Sequence, residues 1–412
     1  MVPLLVLIKA ILVNYLLIFI AVDYSFQTQN SSLPYGTVLR SGAGSFYPVV
    51  KIIEKPEKMT ILRKQEGWVE IKIVNGKSGW ISENVLRRDK VESDYLKRLM
   101  DSKEGVKVTQ AVIVSAVKGF GDRYRDPMVE GSGDILALDR QIITPQMWYD
   151  FVRRHFGTKG EKRWSGDRKL KRFTKSMDAS FLERELGLYI AASLVRGKLI
   201  QDRKIEAYLS LIATALMRQS EAPNLSVRVY LFHSEKPAAY ATPNGMIFIS
   251  DELWKMVENE AELAGLLGHE VAHIVHRHAA MELEKRKTEI SAERAFAEVK
   301  RLTGLSPMEK QIESLALAIY DVVNRGYIEK YEQDADRMGS IYAYRAGWVA
   351  TEYKNLVERL SKHPALKKDF FDAEFSLSDP FKERLNELTN LRSKLNKRKG
   401  RIVNSNEFKR FR

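Results

Sequence analysis

Val227, Val229 and Leu231 alternate with Arg228, Tyr230 and Phe232, the period of a β-strand. Asn244-Gly245 marks a turn, and Met246 to Ile249 forms a second apolar strand behind it. The period then changes. Leu263, Leu266, Leu267, Val271, Ile274 and Val275 recur at helical spacing, and Asn259 with Glu262 three residues on supplies a cap. The pattern predicts a core helix starting near Glu260. Leu315, Ala318, Ile319, Val322 and Val323 repeat the helical period beyond a break at Thr303-Gly304-Leu305-Ser306-Pro307, which predicts a helical pair over 292–331 acting as a lid. Near the start, Met59 to Arg63 and Trp68 to Val74 read as short strands, and Asn75-Gly76 turns the second into Ser78-Gly79-Trp80-Ile81. Between these units the signal is sparse: a helix over Thr109 to Val117, and a solvated basic loop from Arg153 to Lys175.

Charge adds a second layer. The 412-residue chain carries a net +14, much of it in that basic loop and in a tail from Arg392 that is expected to fray. An anionic membrane surface, acidic wall polymers or acidic unfolded proteins are compatible partners, and a bland solubilising surface is the alternative. Nucleic acid is not expected, because no recognition motif accompanies the charge. Met1 to Val22 is apolar apart from Lys9, Asn14 and Tyr15, as in the core of an export signal. Asp23, Tyr24 and Phe26 spoil a small-residue cleavage site, so an uncleaved anchor is the competing reading. The chain has no cysteine, which excludes disulfides and cysteine-bound structural zinc.

Four of the seven histidines (His269, His273, His276, His278) fall within ten residues on the predicted core helix or just past it. His269-Glu270-Val271-Ala272-His273 places two imidazoles one helical turn apart, able to ligate one Zn²⁺, with a glutamate positioned to act on water. A catalytic zinc takes a third protein ligand. A histidine ten residues after the first is excluded, since Ala279 stands there. Glu293 lies twenty residues past His273, but Ala297 occupies the place of an acidic helper. Glu332-Gln333-Asp334-Ala335-Asp336 is the leading alternative: Glu332 as ligand, Asp336 on the same face to hold a ligating histidine in its tautomer.

With Leu267 to His273, Arg277-His278-Ala279 and Glu332 to Gly339, the chain resembles the zinc metallopeptidase family that includes the CAAX prenyl protease. Leu182-Glu183-Arg184-Glu185-Leu186-Gly187 and Ala239 to Ser250 extend the likeness, the latter as a hairpin beside the cleft. The resemblance implies one Zn²⁺ per chain on His269, His273 and Glu332, Glu270 as the catalytic base, and Asp336 behind a ligand. It also matches Arg384 to a family arginine facing the cleft, a candidate to stabilise an oxyanion; an ordinary salt bridge is the alternative. Two positions depart from the family. Ala238 replaces a frequent Asn, and Asp379 stands where many periplasmic members have a latch histidine.

Leu39 to Gly42, Glu66-Gly67-Trp68 and Gly76 to Ile81 resemble the bacterial SH3 domain. Trp68 and Trp80 are then either a ligand platform, with peptidoglycan a candidate, or barrel core. The expected architecture is α+β and multidomain. A signal peptide or anchor spans 1–30 and a small all-β bacterial SH3 barrel 33–88. A linker and irregular helical and basic region covers 89–180. A mainly helical gluzincin-type metallopeptidase domain with a small sheet at the cleft fills 181–390, followed by a basic tail over 391–412. The expected function is zinc-dependent endopeptidase of the bacterial envelope, exported and acting on unfolded or envelope proteins. A peptidoglycan-directed endopeptidase and a chaperone or scaffold with a latched site are the alternatives.

Overall fold

The computed structural model describes residues 32–34, 36–86, 138, 142–165, 181–195, 197–286, 315–320, 322–323, 329–366, 380–395 and 402–411. The export segment, the helix expected over Thr109 to Val117, Glu293 and Asp379 lie outside these residues. No helix among the described residues is long and apolar enough to cross a membrane.

The N-terminal unit is an antiparallel sheet of six strands: β1 (Ser32–Leu33), β2 (Val38–Arg40), β3 (Val49–Ile52), β4 (Glu57–Gln65), β5 (Trp68–Ile73) and β6 (Ser78–Ser82), in the order β1-β4-β5-β6-β2-β3. Alternation along β5 and β6 sends Val69, Ile71, Ile73 and Ile81 into a core shared with Leu33, Leu39 and Ile53. Trp68 pairs with Ser82 and Trp80 with Glu70, so both indoles belong to the opposite face. They are nevertheless buried, at 4 % and 5 % exposure. Both rings are covered, and the core of Leu33, Leu39 and Ile53 lies on the other face of the sheet. Arg63 lies over Trp80 at 4.9 Å.

The larger unit contains α1 (Pro145–Ser165), α2 (Phe181–Val195), β7 (Leu199–Ile200), α3 (Arg203–Met217), β8 (Arg228–Phe232), β9 (Ala239–Ala241), β10 (Met246–Ser250), α4 (Asp251–Met256), α5 (Glu260–Val275), α6 (His278–Arg286), α7 (Glu329–Ala346), α8 (Tyr353–Lys362) and α9 (Pro380–Leu395). Its sheet runs β7-β8-β10-β9. The turn at Asn244-Gly245 joins β9 to β10 as an antiparallel hairpin, while β8 pairs with β10 in parallel. Gly245 has φ 85°, and a Cβ there would strike the Ser226 carbonyl oxygen, so the turn requires glycine. β9 is the edge strand beside α5. Residues 315–320 are helical as expected, with Ala316, Ile319, Val322 and Val323 buried.

Two sequence expectations fail. The stretch read as a solvated loop from Arg153 begins inside α1, whose Trp148, Phe151 and Val152 enter the main core. The tail does not fray over its described part. Phe408 is buried, Phe411 stacks on Tyr208 at 4.8 Å, and the backbone of 402–404 runs alongside the start of α5. That contact completes the first turn of α5. The Glu260 N–H donates to Asn404 Oδ1, Ala261 N–H to the Val403 carbonyl, and Glu262 N–H to Asn259 Oδ1, each at 2.9 Å. The Glu260 carboxylate is fully buried and accepts from Tyr208 OH at 2.9 Å and Trp348 Nε1 at 2.8 Å.

The two units touch. Phe46, in the loop after β2, stacks on Trp148 at 5.6 Å and belongs to the large unit's core. Asn224 Nδ2 donates to the Gly67 carbonyl at 2.9 Å and to Ser82 Oγ at 3.3 Å. Phe46→Ala should cost about 3 kcal/mol of stability in the large unit, read by urea denaturation of the full chain. An unchanged midpoint would show that the loop merely rests on the core.

Candidate active site

α5 and α7 approach backbone to backbone. A Cβ on Gly268 would meet the Gly339 carbonyl oxygen at 2.6 Å, and one on Gly339 would strike the His269 backbone nitrogen. This contact brings the acidic face of α7 to the histidine face of α5. Gly339→Ala should therefore push the helices apart, costing about 1–3 kcal/mol of stability and weakening metal binding at least about tenfold. Chelator competition reads the second effect; unaltered affinity would mean that the ligands do not depend on this spacing.

His269, Glu270 and His273 are all buried on α5. His269 Nε2 and His273 Nε2 lie 3.0 Å apart. The Glu332 carboxylate oxygens lie 3.4 Å and 3.5 Å from these two nitrogens. His269 Nδ1 is 2.8 Å from Asp336 Oδ1. An ionised carboxylate only accepts, so Nδ1 keeps its proton and Nε2 is the nitrogen that faces the centre. Burial opposes charge on His269, but Asp336 and Glu332 outweigh it and raise the imidazole to about 10, so a metal bound there would displace the Nε2 proton. Two imidazole nitrogens and a carboxylate thus converge on one point. Nitrogens bound to one tetrahedral ion at about 2.0–2.1 Å stand roughly 3.3 Å apart, so the donor set fits zinc. A second group of potential ligands, His276, His278 and Asp334, lies beside the first.

Arg384 on α9 ties the carboxylates together. Its Nε and Nη2 donate to the two oxygens of Asp336 at 2.7 Å and 2.8 Å, and Nη1 lies 3.0 Å from Glu332 Oε2. Burial opposes ionisation of both acids, but the guanidinium and His269 outweigh it and bring each to about 2. Tyr353 OH completes the group, 3.3 Å from Asp336 Oδ1 and 3.2 Å from Arg384 Nη2. The Arg384 fork is aimed at the two acids. Glu270 is different: burial pushes its carboxyl up to about 7.

Of the residues singled out in the sequence, His269, Glu270, His273, Glu332, Asp336 and Arg384 meet at this centre. Trp68 and Trp80 lie in the other unit. Tyr353, Gly268 and Gly339 were given no role, nor were His278 and Asp334. The chain positions were visible, but their contacts join segments far apart in sequence.

Two histidines on one helix and a glutamate from a second thus converge beside a buried glutamate, a donor set that fits a single zinc ion. Residues 203–392 match the model of peptidase family M48, whose members use zinc, and residues 36–87 match the bacterial SH3 domain. The beta-barrel assembly-enhancing protease of Escherichia coli (strain K12) is 24 % identical over 232 residues, covering 55 % of this chain and 46 % of that protein. Its Yersinia pestis counterpart is 25 % identical over 178 residues, 42 % of this chain and 36 % of that protein. The mitochondrial metalloendopeptidase OMA1 of Schizosaccharomyces pombe is 26 % identical over 179 residues, 39 % and 50 % of the two chains. The chain spans half or less of the length of each of these relatives.

Proposed function

We propose that this protein is a zinc-dependent endopeptidase of the bacterial cell envelope that hydrolyses unfolded or envelope proteins. The convergence of His269, His273 and Glu332 beside the buried Glu270 carries the reading. Bound there, zinc supplies a positive charge that acidifies water and polarises a peptide carbonyl. Glu270 takes the proton from the attacking water and passes it to the departing amine. A carboxyl raised by burial suits both halves of that transfer. Asp336 fixes the His269 tautomer, and Arg384 keeps Asp336 and Glu332 ionised. The edge strand β9, beside the zinc helix, offers main-chain groups for pairing with an extended substrate, which suits broad sequence tolerance. Asp379 is proposed only as the position of a latch from the chain segment before α9.

Export to the envelope is supported by the apolar first segment and by likeness to proteases whose names place them in β-barrel assembly. The peptidoglycan alternative keeps the small β unit as its targeting module, although the buried Trp68 and Trp80 offer it no open stacking surface. The deciding experiment measures zinc content and hydrolysis of an unfolded protein before and after chelation. One zinc per chain, with cleavage lost on chelation and restored by zinc, is expected. Release of peptides from purified sacculi with no cleavage of unfolded protein would overturn the substrate assignment.

A further inference from the structure

The Asp336 contact accounts for one imidazole of the pair. The partner of the other lies past the end of the helix. His273 Nδ1 is 2.9 Å from His278 Nδ1, and His278 Nε2 is 3.3 Å from Asp334 Oδ2. His278 reaches this place through a turn at Arg277, which has φ 55°, a left-handed conformation that side chains other than glycine's rarely adopt. Its ring is 3 % exposed and stacks on Tyr331 at 4.8 Å and 20°. Asp334 is held in turn by Arg337 and His276 Nδ1.

Proton bookkeeping selects what this chain of contacts does. A neutral imidazole has one N–H and one lone pair. If His273 ligates through Nε2, its proton is on Nδ1 and must be donated to His278 Nδ1. His278 is then protonated on Nε2 and donates to Asp334. Every hydrogen bond is satisfied in one direction only, ending on a carboxylate.

We infer that His278 and Asp334 form a relay that positions His273 as a zinc ligand, the counterpart of the direct Asp336 contact to His269. The same bookkeeping decides against a second metal on His276, His278 and Asp334, because His278 Nε2 cannot both carry the donated proton and ligate. One helix, α7, therefore supplies the third ligand and the carboxylate ends of both orienting contacts: Glu332, Asp334 and Asp336. The arrangement also gives a physical reason for the backbone strain at Arg277, which turns the chain so that His278 faces back onto α5.

This inference rests on the ligand set proposed above, and the test separates the two. Zinc affinity of the full chain is measured by competition with a chromogenic chelator, together with the number of zinc ions bound, for the parent and for His269→Ala, His276→Ala, His278→Leu, His278→Gln and Asp334→Ala. His269→Ala must lose tight binding; if it does not, the ligand set fails and the relay with it. With that control in place, His278→Leu and Asp334→Ala are expected to weaken binding about 10- to 100-fold. His278→Gln is expected to stay within about threefold, since its amide accepts from one side and donates to the other as the imidazole does. Asp334→Ala alters the partly buried end of the relay and reports even if His278→Leu folds poorly. Two leucine-like outcomes overturn the relay: affinity of His278→Leu and Asp334→Ala unchanged, or His278→Gln as weak as His278→Leu. A second zinc bound by the parent and lost in His276→Ala would also overturn it.

Discussion

Replacing Glu270 by glutamine is expected to lower the rate of peptide hydrolysis by roughly 10²- to 10⁴-fold while the protein still binds one zinc ion. The amide fills the carboxyl's volume but has no basicity, and none of the three proposed ligands is touched. The same substitution should act on stability in the opposite direction. Glu270 is buried, and its carboxyl is raised from 4.5 to about 7. A raised carboxyl favours the folded state fully below its unfolded value, and that contribution is lost as pH rises from about 4.5 through about 7. Above pH 7 the chelated parent therefore carries a charge that burial penalises, and Glu270→Gln removes it. Chelated Glu270→Gln should melt at or above the chelated parent at pH 8, and the gap should close near pH 5. Zinc-loaded Glu270→Gln that still cleaves at the parental rate would remove Glu270 from the mechanism.

The histidine helix was legible because three independent signals coincided there: a cap at Asn259, helical spacing of Leu263 to Val275, and histidines one turn apart on that helix. The strands of both units were legible for the same reason, since alternation and the Asn-Gly turns at 75–76 and 244–245 agree. What failed shares a different physics. In α1, Trp148, Phe151 and Val152 directly precede Arg153 and Arg154, and local charge density hides an apolar face whose partners arrive only with α3 and the loop before β3. In the tail, Phe408 and Phe411 sit among basic residues, and their partners Trp254 and Tyr208 lie far upstream. At the site, spacing shows Glu332 and Asp336 on one face. It cannot show that Gly268 and Gly339 let two helix backbones touch, or that an arginine 48 residues after Asp336 closes on both acids.

Arg384 is where these long-range contacts have their largest energetic consequence. Asp336 is fully buried and Arg384 nearly so, and the guanidinium is the main cause of ionisation in both Asp336 and Glu332. Arg384→Met keeps much of the side-chain volume and removes the charge, leaving the buried Asp336 and the partly buried Glu332 without their counter-ion. Losing one partner of such a pair costs about 3–5 kcal/mol, most of it the desolvation of the charges left behind. A zinc ion on Glu332 would restore part of the missing positive charge. Arg384→Met should therefore lose more stability in chelator than in zinc, so that folding becomes more metal-dependent than in the parent. The acid limb should move as well. A depressed carboxylate gives stability that is present above its unfolded value, 4.5 for Glu332 and 3.8 for Asp336, and is lost only as pH falls toward about 2. Without Arg384 that reserve shrinks, and the chelated variant should unfold at higher pH than the chelated parent. Urea denaturation with and without zinc, repeated at pH 4 and pH 7, measures both effects. If Arg384→Met leaves stability untouched and lowers only kcat, the arginine acts on the reacting carbonyl and the ion-pair assignment falls.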